Sequence, residues 1–393
     1  MLCDKEWIKH NQPYLLPFLY LFSRIVLFLT LVPYGYYGIG DLVVYREWTA
    51  LAGWPYLDYW VEYPPLFPFL SEILFRIAGE QSFVYDFLMA LVLAFAGSLS
   101  LHLFQKIASR LYGDATSQIR TLILFGILVV LPYTWWYADS LTLLLMMAGI
   151  WSLIERKDKL AGLWIGVGIL LKWFPVFLLP ALFRQRKFKD IFLISTIALL
   201  VVLIVFAMLY AISPEMTAAS LKAQPNRSSW QTIWALMDGN LTTGAYLTTE
   251  QRLDPSQSTL RTGNPPVVPP LLTLPIFCGI GIILVARRPQ PSDDNFLANI
   301  GIVWSLFLLW SPGWSSQWVL YILPLVLLTF TLNKGFVFSI CLILVNLIEF
   351  PFLLGRHISE TFYILIPIRV WLLVIMLSYW GRKHGKTNKV THS

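Results

Sequence analysis

The chain alternates between long apolar runs and short basic breaks. Runs near 20 residues recur at 14–34, 82–105, 121–137, 138–154, 190–212, 269–286, 296–311, 317–332, 335–354 and 362–380. About 20 apolar residues in a helix cross a bilayer. The runs are continuous rather than alternating, which excludes a β-barrel. Backbone in hydrocarbon must satisfy its own hydrogen bonds, so the runs predict about ten spanning helices. A shorter pair, LAGLWIGVGILLKW and FPVFLLPALF, lies between Lys159 and Arg184 and breaks at Pro175. Basic residues flank both ends, which predicts a hairpin or re-entrant element. The expected fold is an all-α polytopic bundle, a single transmembrane domain over 1–393.

Two long segments stand apart from the spans. Residues 35–81 are rich in Trp, Tyr and Pro, and residues 213–268 in Ser, Thr, Asn, Pro and Gly. Long ordered loops are where function concentrates. In the first, Asp41 opens a segment that ends at Gly53, with Val44, Trp48, Leu51 and Ala52 on one face. That pattern predicts a short amphipathic helix on the membrane surface. Tyr63-Pro64-Pro65 predicts an extended approach to a helix opened by Pro65. Glu72 and Arg76, four apart on that helix, are spaced to pair.

Composition agrees with the pattern. Of 393 residues, 57% are hydrophobic and 13% charged, against about 25% charged in a soluble domain. The net charge of +7 reads as topology rather than nucleic-acid binding. Nineteen of the 29 Lys and Arg fall in the N-terminus, the C-terminus and the short loops expected on one side; seven fall on the other. The positive-inside rule then places both termini in the cytoplasm and both long loops outside. In a bacterium this is a multi-pass plasma-membrane protein. The N-terminus has no small-residue cleavage site, so its first span is expected to be retained. Cys3, Cys278 and Cys341 have neither disulfide nor metal-site spacing. Asn226-Arg-Ser and Asn240-Leu-Thr are glycosylation sequons only in a host with that machinery.

Candidate chemistry rests on acids and bases at or near the membrane. Asp41 reads either as a helix N-cap or as an interfacial carboxylate able to take a proton from an acceptor hydroxyl. Asp58 and Glu62 are rivals for the second role. Charges inside spans mark pairing or function. Arg24 is expected to make a structural pair, with Glu349 as one partner; Arg369 is the other candidate for Glu349. Lys172, at the hairpin break, is placed to hold a phosphate. Asp139 lies in a turn toward the same side, and Arg356 and His357 form a short turn able to reach a lipid phosphate. Gly162 and Gly166 form a GxxxG expected to serve helix packing. No P-loop, dinucleotide fingerprint, HExxH or GxSxG is present.

In order along the chain stand GD-xxx-Y, G-WPY-x-D, EYPPL, ADSLTLLLMMAGIWSL, AGLWIGVGILLKWFPVFLLPAL and SPGWSSQWVLYILPL. From about Arg24 to Leu325 this resembles the multispan GT-C glycosyltransferases, in particular glycosyltransferase family 87, which uses polyprenyl-phosphate-linked mannose. The resemblance implies an inverting hexosyltransferase on the non-cytoplasmic face, with mannose the expected sugar and a lipid or glycan as acceptor. The family's first-loop Asp carries over to Asp41, as general base or acceptor anchor. Its YPP segment carries over to Tyr63, Pro64 and Pro65, and its LK-x-x-P lysine to Lys172. Glu62, Tyr63, Asp139, Lys172, Arg356 and His357 are the candidate substrate-binding residues. Asp41 has no adjacent acid, so no metal or other cofactor is expected. The partners implied are the lipid-linked donor, the acceptor and membrane lipids, with no nucleic acid. The rival readings are a transporter or lipid flippase without covalent chemistry, and a non-catalytic assembly subunit.

Overall fold

Proline and glycine set several of the helix boundaries in the computed structural model, which describes residues 5–31, 41–241, 248–287, 291–356 and 358–382. In chain order the helices are α1 (Lys5–Leu31), α2 (Asp41–Thr49), α3 (Leu66–Ile77), α4 (Ser82–Tyr112), α5 (Asp114–Val130), α6 (Tyr133–Trp136), α7 (Asp139–Ile154), α8 (Asp158–Leu171), α9 (Leu178–Ala181), α10 (Phe188–Ile212), α11 (Pro214–Ala223), α12 (Ile233–Asp238), α13 (Pro270–Ala286), α14 (Asp293–Trp310), α15 (Val319–Thr329), α16 (Leu332–Leu347) and α17 (Phe362–Arg382). Among the described residues there is no strand, only two isolated bridges. Five helical stretches are long and apolar enough to span a bilayer: Tyr14–Leu31, Ser82–Tyr112, Phe188–Ile212, Leu332–Arg356 and Phe362–Arg382. Shorter apolar helices accompany them at Asp139–Ile154, Pro270–Ala286 and Ser316–Thr329. The chain is an integral membrane protein built as a polytopic helical bundle.

Two breaks depart from the predicted spans. The run at 121–137 is not one helix: α5 stops at Val130, Leu131 is extended (φ −70°, ψ 125°), and a single turn follows from Tyr133. Leu131 precedes a proline, which pushes it out of the helical region. In the hairpin the break falls three residues before Pro175. Lys172 is itself extended (φ −161°, ψ 140°), and a 3-10 turn runs from Phe174 to Phe177.

The chain divides into two compact units. The first comprises Met1–Val176, Leu193–Arg227 and Gly244–Thr262. In it α4 packs on α1, α5 and α7, and α7 on α8. A Cβ on Gly97 of α4 would lie 2.5 Å from the buried Tyr20 ring of α1, so the absent side chain sets that approach. Gly162 and Gly166 do the same against α10: added Cβ atoms would meet the Ile194 carbonyl at 2.8 Å and Val201 Cβ at 2.8 Å. This is close helix packing through small residues, as the GxxxG spacing predicts. The α2 face that turns inward is Leu42, Tyr45, Trp48 and Thr49, not the expected set, because Phe67 of α3 and Tyr85 and Met89 of α4 form the surface it meets. The chain around α11 closes on the first loop: Ser213 Oγ donates to the Leu57 carbonyl (2.9 Å), and Ser220 Oγ accepts from the Val61 amide (3.1 Å).

The second unit comprises Phe177–Phe192, Ser228–Thr243 and Gly263–Ser393. Its core is apolar and aromatic, with Trp380 of α17 against Gly301 of α14 and donating to Thr329 Oγ1 (2.8 Å). Glu349 pairs with Arg369, both buried, and Arg369 also donates to the Gln231 carbonyl. Arg369 is therefore the Glu349 partner. The expected second loop is shared out: α11 belongs to the first unit and α12 to the second.

Candidate active site

The site begins with a nine-residue helix. Asp41 opens α2, where a carboxylate complements the helix dipole. Tyr45 follows one turn later on the same face, and its hydroxyl donates to Asp41 Oδ2 at 3.2 Å. The second donor comes from the loop beyond. Tyr63 precedes Pro64-Pro65, and the ring of the following proline disfavours helical backbone at that position. Its hydroxyl donates to the same Asp41 oxygen at 2.8 Å. Tyr56 fixes the Tyr63 backbone by donating to its carbonyl at 2.7 Å. Tyr56 itself has φ +69°, a left-handed conformation uncommon for a bulky residue. It is held there by the turn in which its amide donates to the Tyr59 carbonyl at 2.8 Å.

Lys172 enters from the hairpin break. Its Nζ lies 2.8 and 2.9 Å from the two oxygens of Asp139, the fully buried first residue of α7. It also lies 5.8 Å from the centre of the Tyr63 ring and 5.4 Å from that of Phe174. One cation thus stands among Asp41, Asp139 and Tyr63. Burial raises the pKa of Asp41 above the ordinary carboxylate value. The Tyr63 hydrogen bond and the Lys172 charge pull it back in part, while Asp139 pushes it up.

Glu62 is adjacent in sequence but otherwise engaged. Arg252 clamps it with Nη1–Oε2 at 2.5 Å and Nη2–Oε1 at 3.2 Å. The guanidinium lies against Trp48 (4.8 Å) and Trp60 (5.1 Å). Burial favours protonated Glu62, but the Arg252 charge and hydrogen bond outweigh it and hold the pKa below the ordinary value. A depressed carboxylate pKa adds stability above the unfolded value, lost as pH falls through the folded one. Arg252→Met deprives a buried carboxylate of its cation and is expected to cost about 3–5 kcal/mol. Thermal unfolding above pH 6 reads this. An equal loss in Glu62→Gln/Arg252→Met would show that the charge pairing is irrelevant.

Asp41, Tyr63, Asp139 and Lys172 are brought together. Asp58 is exposed and accepts from the Trp54 amide (2.7 Å), a turn role. Arg356 lies in the second unit, exposed, donating to the Phe352 carbonyl at 3.0 Å. His357 lies outside the described residues. Tyr45 and Arg252 went unpredicted. The i, i+4 spacing from Asp41 signals the first; nothing in the sequence signals a partner 190 residues from Glu62.

Beside α2 runs an apolar groove of about 260 Å³, lined by Leu27, Phe28, Leu31, Leu42, Trp135 and Trp136 among others. Leu42, one of its lining residues, follows Asp41 in the chain.

Membrane helices, an apolar groove and a carboxylate–phenol cluster define a membrane protein arranged for polar chemistry beside lipid. The model of glycosyltransferase family 87 matches residues 60–312. The chain belongs to that family and is an integral membrane glycosyltransferase. Among solved structures it is similar to ArnT from Cupriavidus metallidurans in the apo state (12% identity, 86% of this chain and 71% of that one, TM-score 0.33). It is also similar to the Archaeoglobus fulgidus oligosaccharyltransferase in complex with Zn and sulfate (12% identity, 95% of this chain, TM-score 0.37); this chain spans 54% of that one's length. No curated protein matches it.

Proposed function

We propose that the enzyme transfers a hexose, with mannose the expected sugar, from a polyprenyl-phosphate donor to an acceptor hydroxyl on the non-cytoplasmic face, with inversion. The observation that carries this is Asp41: a half-buried carboxylate with raised pKa, held on one oxygen by two phenols, whose chain neighbour Leu42 lines an apolar groove. Both phenols use Oδ2, which leaves Oδ1 to take the acceptor proton. A base whose pKa is drawn toward the working pH removes a proton more effectively. The acceptor oxygen attacks the anomeric carbon as the bond to the lipid phosphate breaks, and the electron pair leaves on phosphate. The groove suits an isoprenoid chain, since its walls are apolar and face lipid-spanning helices. Lys172, neutralised by Asp139, acts on Asp41 and Tyr63 rather than as a free phosphate hook. The donor's leaving group needs no nucleotide pocket, and no metal is assigned a step.

The test is product formation. Purified protein is incubated with polyprenyl-phosphate [¹⁴C]mannose and a membrane-lipid extract, in EDTA. A labelled glycosylated product detected by mass supports the reading. Movement of the donor across vesicles with no covalent product would instead identify a flippase.

A further inference from the structure

The geometry points to Arg24 as a binding site for a lipid phosphate, entered from the apolar groove. This rests on the proposed lipid-linked donor and names the residue that grips its anionic group.

Arg24 is 5% exposed, in the first spanning helix. Its first task is structural. Pro132 has no N–H, so the Leu128 carbonyl at the end of α5 lacks its helical donor. Arg24 Nη2 supplies one, and also donates to the Val129 carbonyl (3.0 Å) and Thr134 Oγ1 (2.6 Å). The expected pair with Glu349 is replaced by this cap. The cap uses one of the three guanidinium nitrogens. Nε and Nη1 are buried with no hydrogen-bond partner among the described residues. The Tyr20 hydroxyl, itself buried without another partner, lies near enough to act on the Arg24 charge and to engage one of these N–H groups. An arginine carries five N–H donors, so the cap leaves three at membrane depth, where unsatisfied donors are costly, and the single Tyr20 hydroxyl can engage only one of them.

A small space adjoins this side chain. Arg24 lines a cavity of about 10 Å³ with Phe28, Ala90, Thr134 and Trp135, and the Trp135 ring centre is 4.5 Å from the guanidinium carbon. That volume admits about one oxygen-sized group. Phe28, Ala90 and Trp135 are also walls of the 260 Å³ groove. A ligand with an apolar chain in the groove and one anionic oxygen at Arg24 fits both compartments. The planar fork of Arg suits phosphate oxygens. Around the Asp41 cluster the opposite holds, since Lys172 is already matched by Asp139.

Native mass spectrometry of the detergent-purified full chain tests this with undecaprenyl phosphate and undecaprenol as probes. Arg24→Met is expected to weaken undecaprenyl phosphate binding at least tenfold and to leave undecaprenol within twofold. Arg24→Met also removes the α5 cap, so Ala90→Trp serves as a second variant. It fills both compartments without touching the bonds to Leu128 and Val129, and should weaken undecaprenyl phosphate as strongly. Phosphatidylglycerol separates the sources. Weak competition in the wild type assigns the site to the prenyl phosphate; equal competition, lost with Arg24→Met, assigns it to a bilayer headgroup. Unchanged undecaprenyl phosphate affinity in Ala90→Trp, or in a folded Arg24→Met, overturns the inference. Arg24-dependent binding without any glycosyl product would sink the transferase reading and leave this one standing.

Discussion

Asp41→Asn is expected to lower kcat for sugar transfer by about 10²- to 10⁴-fold, the range a general base contributes. The amide keeps the shape and can still accept from Tyr45 and Tyr63, whose hydroxyls reach Oδ2 at 3.2 and 2.8 Å, but it cannot take a proton. The variant should fold and should bind undecaprenyl phosphate like the wild type. The pH profile gives an independent reading. Burial raises the Asp41 pKa, and the base form exists only above it. The acid limb of kcat/KM should therefore fall at a pH above the ordinary carboxylate range, and activity should drop as pH decreases through it. Tyr63→Phe removes a hydrogen bond that stabilises the charged form, so the limb should move to still higher pH. Full activity in Asp41→Asn, or an acid limb indifferent to Tyr63→Phe, would remove Asp41 from the chemistry.

Lys172→Met should produce a large loss of stability. It deprives Asp139, with side-chain exposure of 1%, of a cation that meets both its oxygens at 2.8 and 2.9 Å. Removing one member of a buried pair typically costs about 3–5 kcal/mol, because the remaining charge stays buried, whereas replacing both members is often close to neutral. Asp139→Asn/Lys172→Met should therefore recover most of the loss in thermal unfolding. The same double variant separates packing from chemistry. Lys172 lowers and Asp139 raises the Asp41 pKa, so removing both leaves opposed effects and a smaller shift of the acid limb than Lys172→Met alone. A double variant as unstable as the single one would show that the ion pair does not organise this break.

Much of the helical plan was legible because continuous apolar runs have one solution in hydrocarbon. The glycine face at Gly162 and Gly166 and the Glu72–Arg76 pair (2.6 Å) were legible for the same reason: both depend on spacing within one helix. The break at Leu131 was written in Pro132, yet an apolar window averages across it. The inward face of α2 was misread because α3 and α4 decide which side is buried, and they are distant in sequence.

The amino-acid sequence by itself determined the bundle, its long loops and the presence of a carboxylate at Asp41, since hydrophobicity and proline act locally. Only the tertiary structure decided the partners. Lys172 closes on Asp139, Arg252 on Glu62, and Arg24 on the end of α5. A buried charge is satisfied by whatever group the fold brings within about 3 Å, and neither the spacing nor the type of a residue encodes a neighbour 33, 190 or 105 positions away.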